Sequence, residues 1–304
     1  MSVALVFPGQ GSQRHGMLDA LPQGDAVSRL LDAAEALSDI DLRQVAGFGT
    51  PEQLADTRAA QPLLYLTDWA WGQEALASRI APAAVAGHSL GEFAALAIAG
   101  VFSVEAGLEL VIERSRLMAA RAAHAPGTMA AILGLDSFTI ASEIAHLEGV
   151  WVANDNAPGQ IVISGTTEGV AQASTALSRA GARRIVPLQV AGAFHSPLMA
   201  PAADEFASLL RRTSFHDAAI PVYQNTDPTP TLDADLIRER LVGQIVSPVR
   251  WTETMLSLVS DGVTTVLECG PGGVLAGLTK RIDGLRGLTV EGAGIDELLS
   301  EEGQ

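Results

Sequence analysis

The stretch that most constrains this chain is an apolar run, residues 83–86, leading into Gly87-His88-Ser89-Leu90-Gly91 and then a small-residue helical run at 94–99. Strand, tight turn and helix, in that order, are the context of a nucleophile elbow. Glycine on either side of Ser89 permits a sharp turn and lets the helix pack against the strand. The serine then sits at a helix N-terminus, where backbone N–H groups favour developing negative charge. The same five residues also fit a turn serine that merely caps a helix, so the rest of the chain has to decide.

Size and composition narrow the options. A chain of 304 residues can bury a large core as one compound domain or two. Hydrophobic content of 48% against 18% charged describes a well-buried globular protein. A net charge of −16 argues against a nucleic-acid partner, because phosphate binding needs clustered cations. Cys269 is the only cysteine, which rules out an internal disulfide and a cysteine metal cluster and fits a reducing compartment. Residues 2–7 are apolar but short and lack a basic flank, so they do not read as a secretory signal. The window 81–102 is interrupted by His88, Ser89 and Glu92 and does not read as a membrane span. The expectation is a soluble, cytoplasmic protein whose acidic tail, residues 296–304, is dispensable for the fold.

In order along the chain, residues 3–7 read as a buried strand running into the glycine-rich loop Pro8-Gly9-Gln10-Gly11-Ser12-Gln13. Helices are expected at 26–37, 51–56, 61–79 and 104–123. From about residue 124 the pattern changes to strand 128–135, helix 136–147, strands 150–154 and 160–164, helix 166–180 and strand 183–190. That β-α-β-β-α-β order is ferredoxin-like, with residues 156–159 as the turn between the central strands. Then come a helix from Ser196 (N-cap) and Pro197 (N1) to Arg212, a strand at 221–224, helices at 234–245 and 251–260, a strand at 263–268, Gly270-Pro271-Gly272-Gly273 and a helix at 274–282. The fold class is α/β. A mostly parallel sheet with helices on both faces, residues 1–124 and 194–304, carries an inserted ferredoxin-like subdomain at 125–193.

A serine needs a base, and histidine is the usual one. His15, His124, His146 and His216 lie in solvated contexts, and His88 adjoins the serine at a turn where neighbours diverge. His195 falls at the seam where the insert ends, where a site between two lobes would be lined. Arg114 and Arg116 sit on one helix but point in different directions, and the pattern does not say which is buried. No metal-ligand spacing stands out.

Several segments together resemble the malonyl-CoA:acyl carrier protein transacylases. They are Phe7-Pro8-Gly9-Gln10-Gly11-Ser12-Gln13, Gly87-His88-Ser89-Leu90-Gly91-Glu92, Asn156-Ala157-Pro158-Gly159-Gln160, Ala193-Phe194-His195-Ser196 and Gly270-Pro271-Gly272. The likeness spans about residues 3–282 in the family's order and spacing. It implies an α/β-hydrolase-like core carrying a ferredoxin-like insert. It also implies a ping-pong transfer of malonyl from malonyl-CoA to the thiol of an acyl carrier protein.

By that resemblance Ser89 is the nucleophile and His195 the base, with the backbone N–H groups of Gln10 and Leu90 as the oxyanion hole. Arg114, 25 positions after Ser89 as in the family, is the residue that grips the malonyl carboxylate. The Gln244 carbonyl orients the histidine in place of a triad acid, and Gln61 lines the pocket. Phe194 before the histidine and Leu90 after the serine go with malonyl in related polyketide enzymes, whereas the context at 190–193 is less typical of the family. Arg183, Arg184, Lys280 and Arg281 are the candidate patch for the acidic carrier, which the net charge would otherwise repel. No cofactor is implied beyond the substrate malonyl-CoA, no metal, and neither nucleic acid nor membrane as partner; the chain is expected to act as a monomer. The same residues would also suit a discrete polyketide acyltransferase, the transacylase component of a malonate decarboxylase or, more remotely, a thioesterase. A non-catalytic docking subunit is disfavoured by the intact Ser89, His195 and Arg114.

Overall fold

In a computed structural model the described residues are 2–22, 24–190 and 192–302. Ala191, within the stretch that departs from the family pattern, and the tail residues Gly303 and Gln304 lie outside them.

The first apolar run forms β1 (Val3–Phe7), and its side chains alternate between two cores, Val3, Leu5 and Phe7 on one face and Ala4 and Val6 on the other. A strand buried on both faces requires helices on both sides. After β1 come α1 (Asp25–Ser38), α2 (Leu42–Phe48), α3 (Pro51–Ala55), α4 (Thr57–Ala77), β2 (Ala84–Gly87), α5 (Gly91–Ile98) and α6 (Val104–His124). The middle of the chain holds β3 (Thr128–Leu133), α7 (Ser137–Ile144), β4 (Val150–Ala157), β5 (Gln160–Gly165), α8 (Thr167–Arg179) and β6 (Arg184–Pro187). The last part contributes α9 (Ala200–Arg212), β7 (Val222–Tyr223), α10 (Ala234–Gly243), α11 (Trp251–Ser260), β8 (Thr265–Glu268), α12 (Val274–Leu278), β9 (Arg286–Thr289) and α13 (Gly294–Glu302).

The larger sheet has the order β7-β2-β1-β8-β9 and is parallel throughout. The smaller sheet is antiparallel, in the order β4-β5-β3-β6, the ferredoxin-like arrangement. Its two faces differ: Ala130, Ile132, Ile161 and Ile163 pack with residues of α7 and α8, whereas Met129 and Val162 join the main core. The small sheet therefore lies with one face against the main body, and a cleft forms between them. Removing a fully buried side chain such as Leu5 or Phe7 costs about 2–5 kcal/mol. Among the described residues no helix is long and apolar enough to cross a membrane.

Several expected boundaries move for physical reasons. The helix expected at 61 begins at Thr57, capped by Asp56, and runs through Pro62. Pro62 forfeits one hydrogen bond to the preceding turn, which burial of most of the helix offsets. The helix after the elbow begins at Gly91 rather than at residue 94, because the chain turns directly from the serine into it. Asn156 and Ala157 belong to β4, and only Pro158 and Gly159, the latter at φ 73, make the hairpin turn. Ser196 holds the expected N-cap position and Pro197 opens the turn, but that turn is a short 3-10 helix before α9, and the Ser196 hydroxyl donates to the Ala193 carbonyl at 2.5 Å instead of capping it. The acidic tail is not loose in its described part. Its described part forms α13, which buries Leu298 in the main core, and β9, α2 and α13 carried no sequence pattern strong enough to name them.

Candidate active site

Register places the site. Phe7 of β1 lies opposite Gly87 of β2, so the glycine-rich loop and the elbow leave the same edge of the parallel sheet side by side. Open parallel sheets bind ligands at this edge. The turn needs its glycines: a Cβ on Gly87 would come 2.0 Å from the Gly91 carbonyl carbon, and one on Gly91 2.0 Å from the Phe7 carbonyl oxygen. Ser89 adopts the left-handed region at φ 51, a conformation that costs a non-glycine residue on the order of 1–2 kcal/mol.

His195 is also left-handed, at φ 55, and comes from the seam after β6. Its Nε2 lies 2.7 Å from Ser89 Oγ. Its Nδ1 lies 3.1 Å from the Gln244 carbonyl and 3.1 Å from the Ser247 carbonyl. Two acceptors at Nδ1 assign the proton to that nitrogen, so Nε2 is the free base facing the serine. Burial, then the Arg114 charge and then His88 push the His195 pKa down to about 3, against which the two carbonyls work only in part. His195 is therefore a neutral imidazole at any ordinary pH.

Arg114 and Arg116 separate completely. Arg116 is exposed and ion-paired with Glu113 at 2.6 Å. Arg114 is 1% exposed, donating to Gln61 Oε1 at 2.6 Å, Gln244 Oε1 at 3.1 Å and Ser89 Oγ at 3.2 Å. Those partners are two amides and a hydroxyl, with no carboxylate among them, and Arg114 Nε has no partner at all. Burial lowers its pKa to about 10, partly offset by the more distant charge of Glu92. A buried guanidinium held by neutral groups is preorganised for an anion.

Ser89, His195, Arg114, Gln10, Leu90, Gln61 and Phe194 line one cavity of about 150 Å³, closed on the small-sheet side by Met129, Asn154, Asn156 and Val162. The Gln10 side chain is fixed by Ala55 and Thr57. A larger groove of about 990 Å³ adjoins it, sharing Gln10, Leu188, Val190 and Phe194, but Ser89 and His195 do not line it. His88 turns away from the serine, its Nε2 2.7 Å from Asn156 Oδ1 and its ring edge-on to Trp251. His15, His124, His146 and His216 are exposed. Among the described residues no cluster of His, Cys, Asp and Glu could hold a metal ion.

The four basic residues of the expected carrier patch are exposed and stand apart from the cavity. Arg281 Nη1 donates to the Pro158 carbonyl at 3.2 Å, and Arg183 packs on Gly134, which bonds to Gly159. Arg183 and Arg281, nearly a hundred residues apart, thus flank one hairpin tip.

Sequence reasoning passed over Asn225, which touches both the Ser89 N–H and the Gly87 carbonyl, and gave no role to Glu92. The one available signal was position, since Asn225 follows a short strand at the same sheet edge.

Residues 4–287 match the model of the acyl transferase domain family. The chain is 42% identical over 282 residues to the malonyl CoA-acyl carrier protein transacylase of Synechocystis sp., covering 92% of this chain and 94% of that one. It is 41% identical to the protein of the same name from Bacillus subtilis, covering 92% and 90%. Among solved structures it superposes with a TM-score of 0.92 and 38% identity on a malonyl-transacylase in complex with its type II PKS acyl-carrier protein, covering 99% of this chain and all of that one.

Proposed function

The chain belongs to the acyl transferase domain family, and from that premise we propose that it moves a malonyl group from malonyl-CoA to the thiol of an acyl carrier protein through an ester on Ser89. The observation that carries this is the meeting of three groups in one small cavity. A serine Oγ lies 2.7 Å from a neutral imidazole nitrogen and 3.2 Å from a buried guanidinium that lacks an anion.

In the first half-reaction His195 Nε2 takes the Ser89 proton while Oγ attacks the thioester carbonyl. The backbone N–H groups of Leu90 and Gln10 hold the oxyanion, the first at the start of α5, the second on the adjoining loop. As the tetrahedral centre collapses, the C–S bond breaks and the imidazolium returns its proton to the CoA thiolate. The carrier thiol then runs the same steps in reverse, losing its proton to His195 and taking the malonyl group from Ser89. The Gln244 and Ser247 carbonyls stand where a triad acid would, holding the imidazole in the tautomer that accepts at Nε2. The nucleophile, the base and the charge donors all come from this chain, so the reaction needs no cofactor.

Selectivity follows from Arg114. A malonyl carboxylate completes the fork that Gln61 and Gln244 now hold, whereas an acetyl group leaves it without an anion. The carboxylate has a second effect. Arg114 is one cause of the low His195 pKa, so neutralising it relieves the imidazolium that forms during attack. Arg183, Arg184, Lys280 and Arg281 form the outer patch that receives the acidic carrier, and residues 125–193 act as the small subdomain that closes the cavity over Ser89.

The test is intact-protein mass spectrometry after mixing with malonyl-CoA and then with a holo acyl carrier protein. A malonyl adduct on Ser89 that persists in water and moves to the carrier is the expected result. An adduct that only hydrolyses would make the protein a thioesterase.

A further inference from the structure

Glu92 ends the motif around Ser89, yet nothing in the transfer chemistry uses it, and Asn225 is 136 residues from the serine it touches. We propose that Asn225 and Glu92 form a buried clamp that positions the nucleophile, Asn225 fixing the backbone of the turn and Glu92 fixing Asn225. The clamp rests on the reading of Ser89 as the nucleophile.

The Asn225 side chain uses both ends of its amide. Oδ1 accepts from Ser89 N–H at 2.6 Å, and Nδ2 donates to the Gly87 carbonyl at 2.5 Å. Strand β7 pairs with β2 only at Val85 and Ala86, so the amide continues that ladder past its last paired residue. Glu92 Oε2 accepts from Asn225 N–H at 2.9 Å, and Oε1 accepts from Gln224 Nε2 at 3.0 Å. Glu92 N–H in turn donates to the Ser89 carbonyl at 3.2 Å. Ser89, Glu92 and Asn225 therefore close a ring of hydrogen bonds, and Asn225 and Glu92 are 2% and 1% exposed, where water cannot substitute for a lost partner.

The ring has two consequences for the chemistry. It holds Ser89 in the left-handed region, where relaxation toward ordinary helical angles would swing Oγ away from His195. It also commits the Ser89 N–H to Asn225, which leaves the oxyanion to the next N–H in the chain, that of Leu90, and to Gln10. Asn225 and Glu92 touch no reacting atom and are positioning residues.

The experiment compares Asn225→Ala, Asn225→Asp and Glu92→Gln with the unaltered protein. It reads the rate of Ser89 acylation at saturating malonyl-CoA, the KM for malonyl-CoA, the rate of labelling by a fluorophosphonate and the thermal midpoint. A displacement near 1 Å costs on the order of 10²-fold in rate, so Asn225→Ala should acylate about a hundredfold more slowly while KM moves less than about threefold. Fluorophosphonate labelling should fall in parallel. Asn225→Asp, which keeps the acceptor for Ser89 N–H, should lie between, and Glu92→Gln should lose about tenfold in the same step. A folded Asn225→Ala protein labelled within about threefold of the unaltered rate overturns the clamp. If that variant does not fold, Glu92→Gln decides by the same comparison. Because the fluorophosphonate reports serine reactivity with any acyl donor absent, the two readings fail separately. An unaltered protein that takes the label but no malonyl group ends the transferase reading and leaves the clamp to its variants.

Discussion

Arg114 and Arg281 carry the same guanidinium into opposite surroundings. Arg114 lies in a cavity of about 150 Å³, held by amides and a hydroxyl, with burial drawing its pKa down to about 10. Arg281 is exposed at a hairpin tip, with one hydrogen bond to the Pro158 carbonyl, Lys280 beside it in sequence and Arg183 on the other flank of the tip. Inside, low dielectric makes a single unpaired charge decisive, and a substrate either answers it or does not. Outside, water and salt screen each charge within about 10 Å, so the patch can steer a partner but contributes little to each contact. On the proposed function, one region selects the acyl group and the other helps to bring the carrier.

That contrast can be broken most severely from within. Ser89→Ala should abolish covalent malonylation, and any acyl adduct remaining on the protein would exclude the ping-pong route. On the proposed function Arg114→Ala removes one side of a buried charge pair with the substrate, a loss of about 2–5 kcal/mol, so malonyl kcat/KM should fall by about 30-fold to 5,000-fold. Acetyl transfer should persist or rise in the same variant. Equal loss of both acyl groups would show that Arg114 supports the cavity rather than grips a carboxylate.

A smaller effect sharpens the electrostatic part. With His195 at about pKa 3, acylation in the unaltered protein should stay level from neutral pH down to about pH 4. Arg114→Gln removes a neighbouring positive charge, so the histidine should protonate more easily and the acid limb should move to higher pH. Stability follows the same sign. A folded pKa below the ordinary 6.5 means the unfolded chain binds the extra proton, so this contribution is complete above about pH 6.5 and lost as pH falls toward 3. Thermal midpoints across pH 3–7 would test it.

At the rim, Arg184→Glu with Arg281→Glu should raise the KM for the carrier by about threefold to tenfold at low salt, an effect that shrinks as salt is added. Acylation by malonyl-CoA, read from the adduct on Ser89, should change little. The smallest effect belongs to Arg116→Ala, two residues from Arg114 on the same helix. It removes only an exposed ion pair with Glu113, so activity should hold and stability should shift by less than about 0.5 kcal/mol.

Much of this was legible in the residues because it is local or repeats with a short period. The run at 3–7 alternates between two cores, Gly87 and Gly91 mark a turn that no larger residue fits, and β-α-β-β-α-β reads off in order. What escaped was either short or made by distant partners. Strand β9, Arg286–Thr289, has a glycine and only one large apolar residue, and it exists because β8 offers it a parallel edge. The helix through Pro62 violates a local rule that burial overrides. Asn225 is one asparagine among several until β7 is set beside β2.

The sequence alone therefore determined the α/β class, the insert and the serine turn, because strand alternation and glycine sterics act over a few residues. The resemblance named the remaining partners. That Arg114 is the buried arginine, that His195 turns Nε2 toward Ser89 and that the Ser247 carbonyl joins Gln244 in holding it became visible only when residues 52, 53, 106 and 130 positions apart were brought together. Those contacts depend on burial and direction, and both are properties of the packed chain.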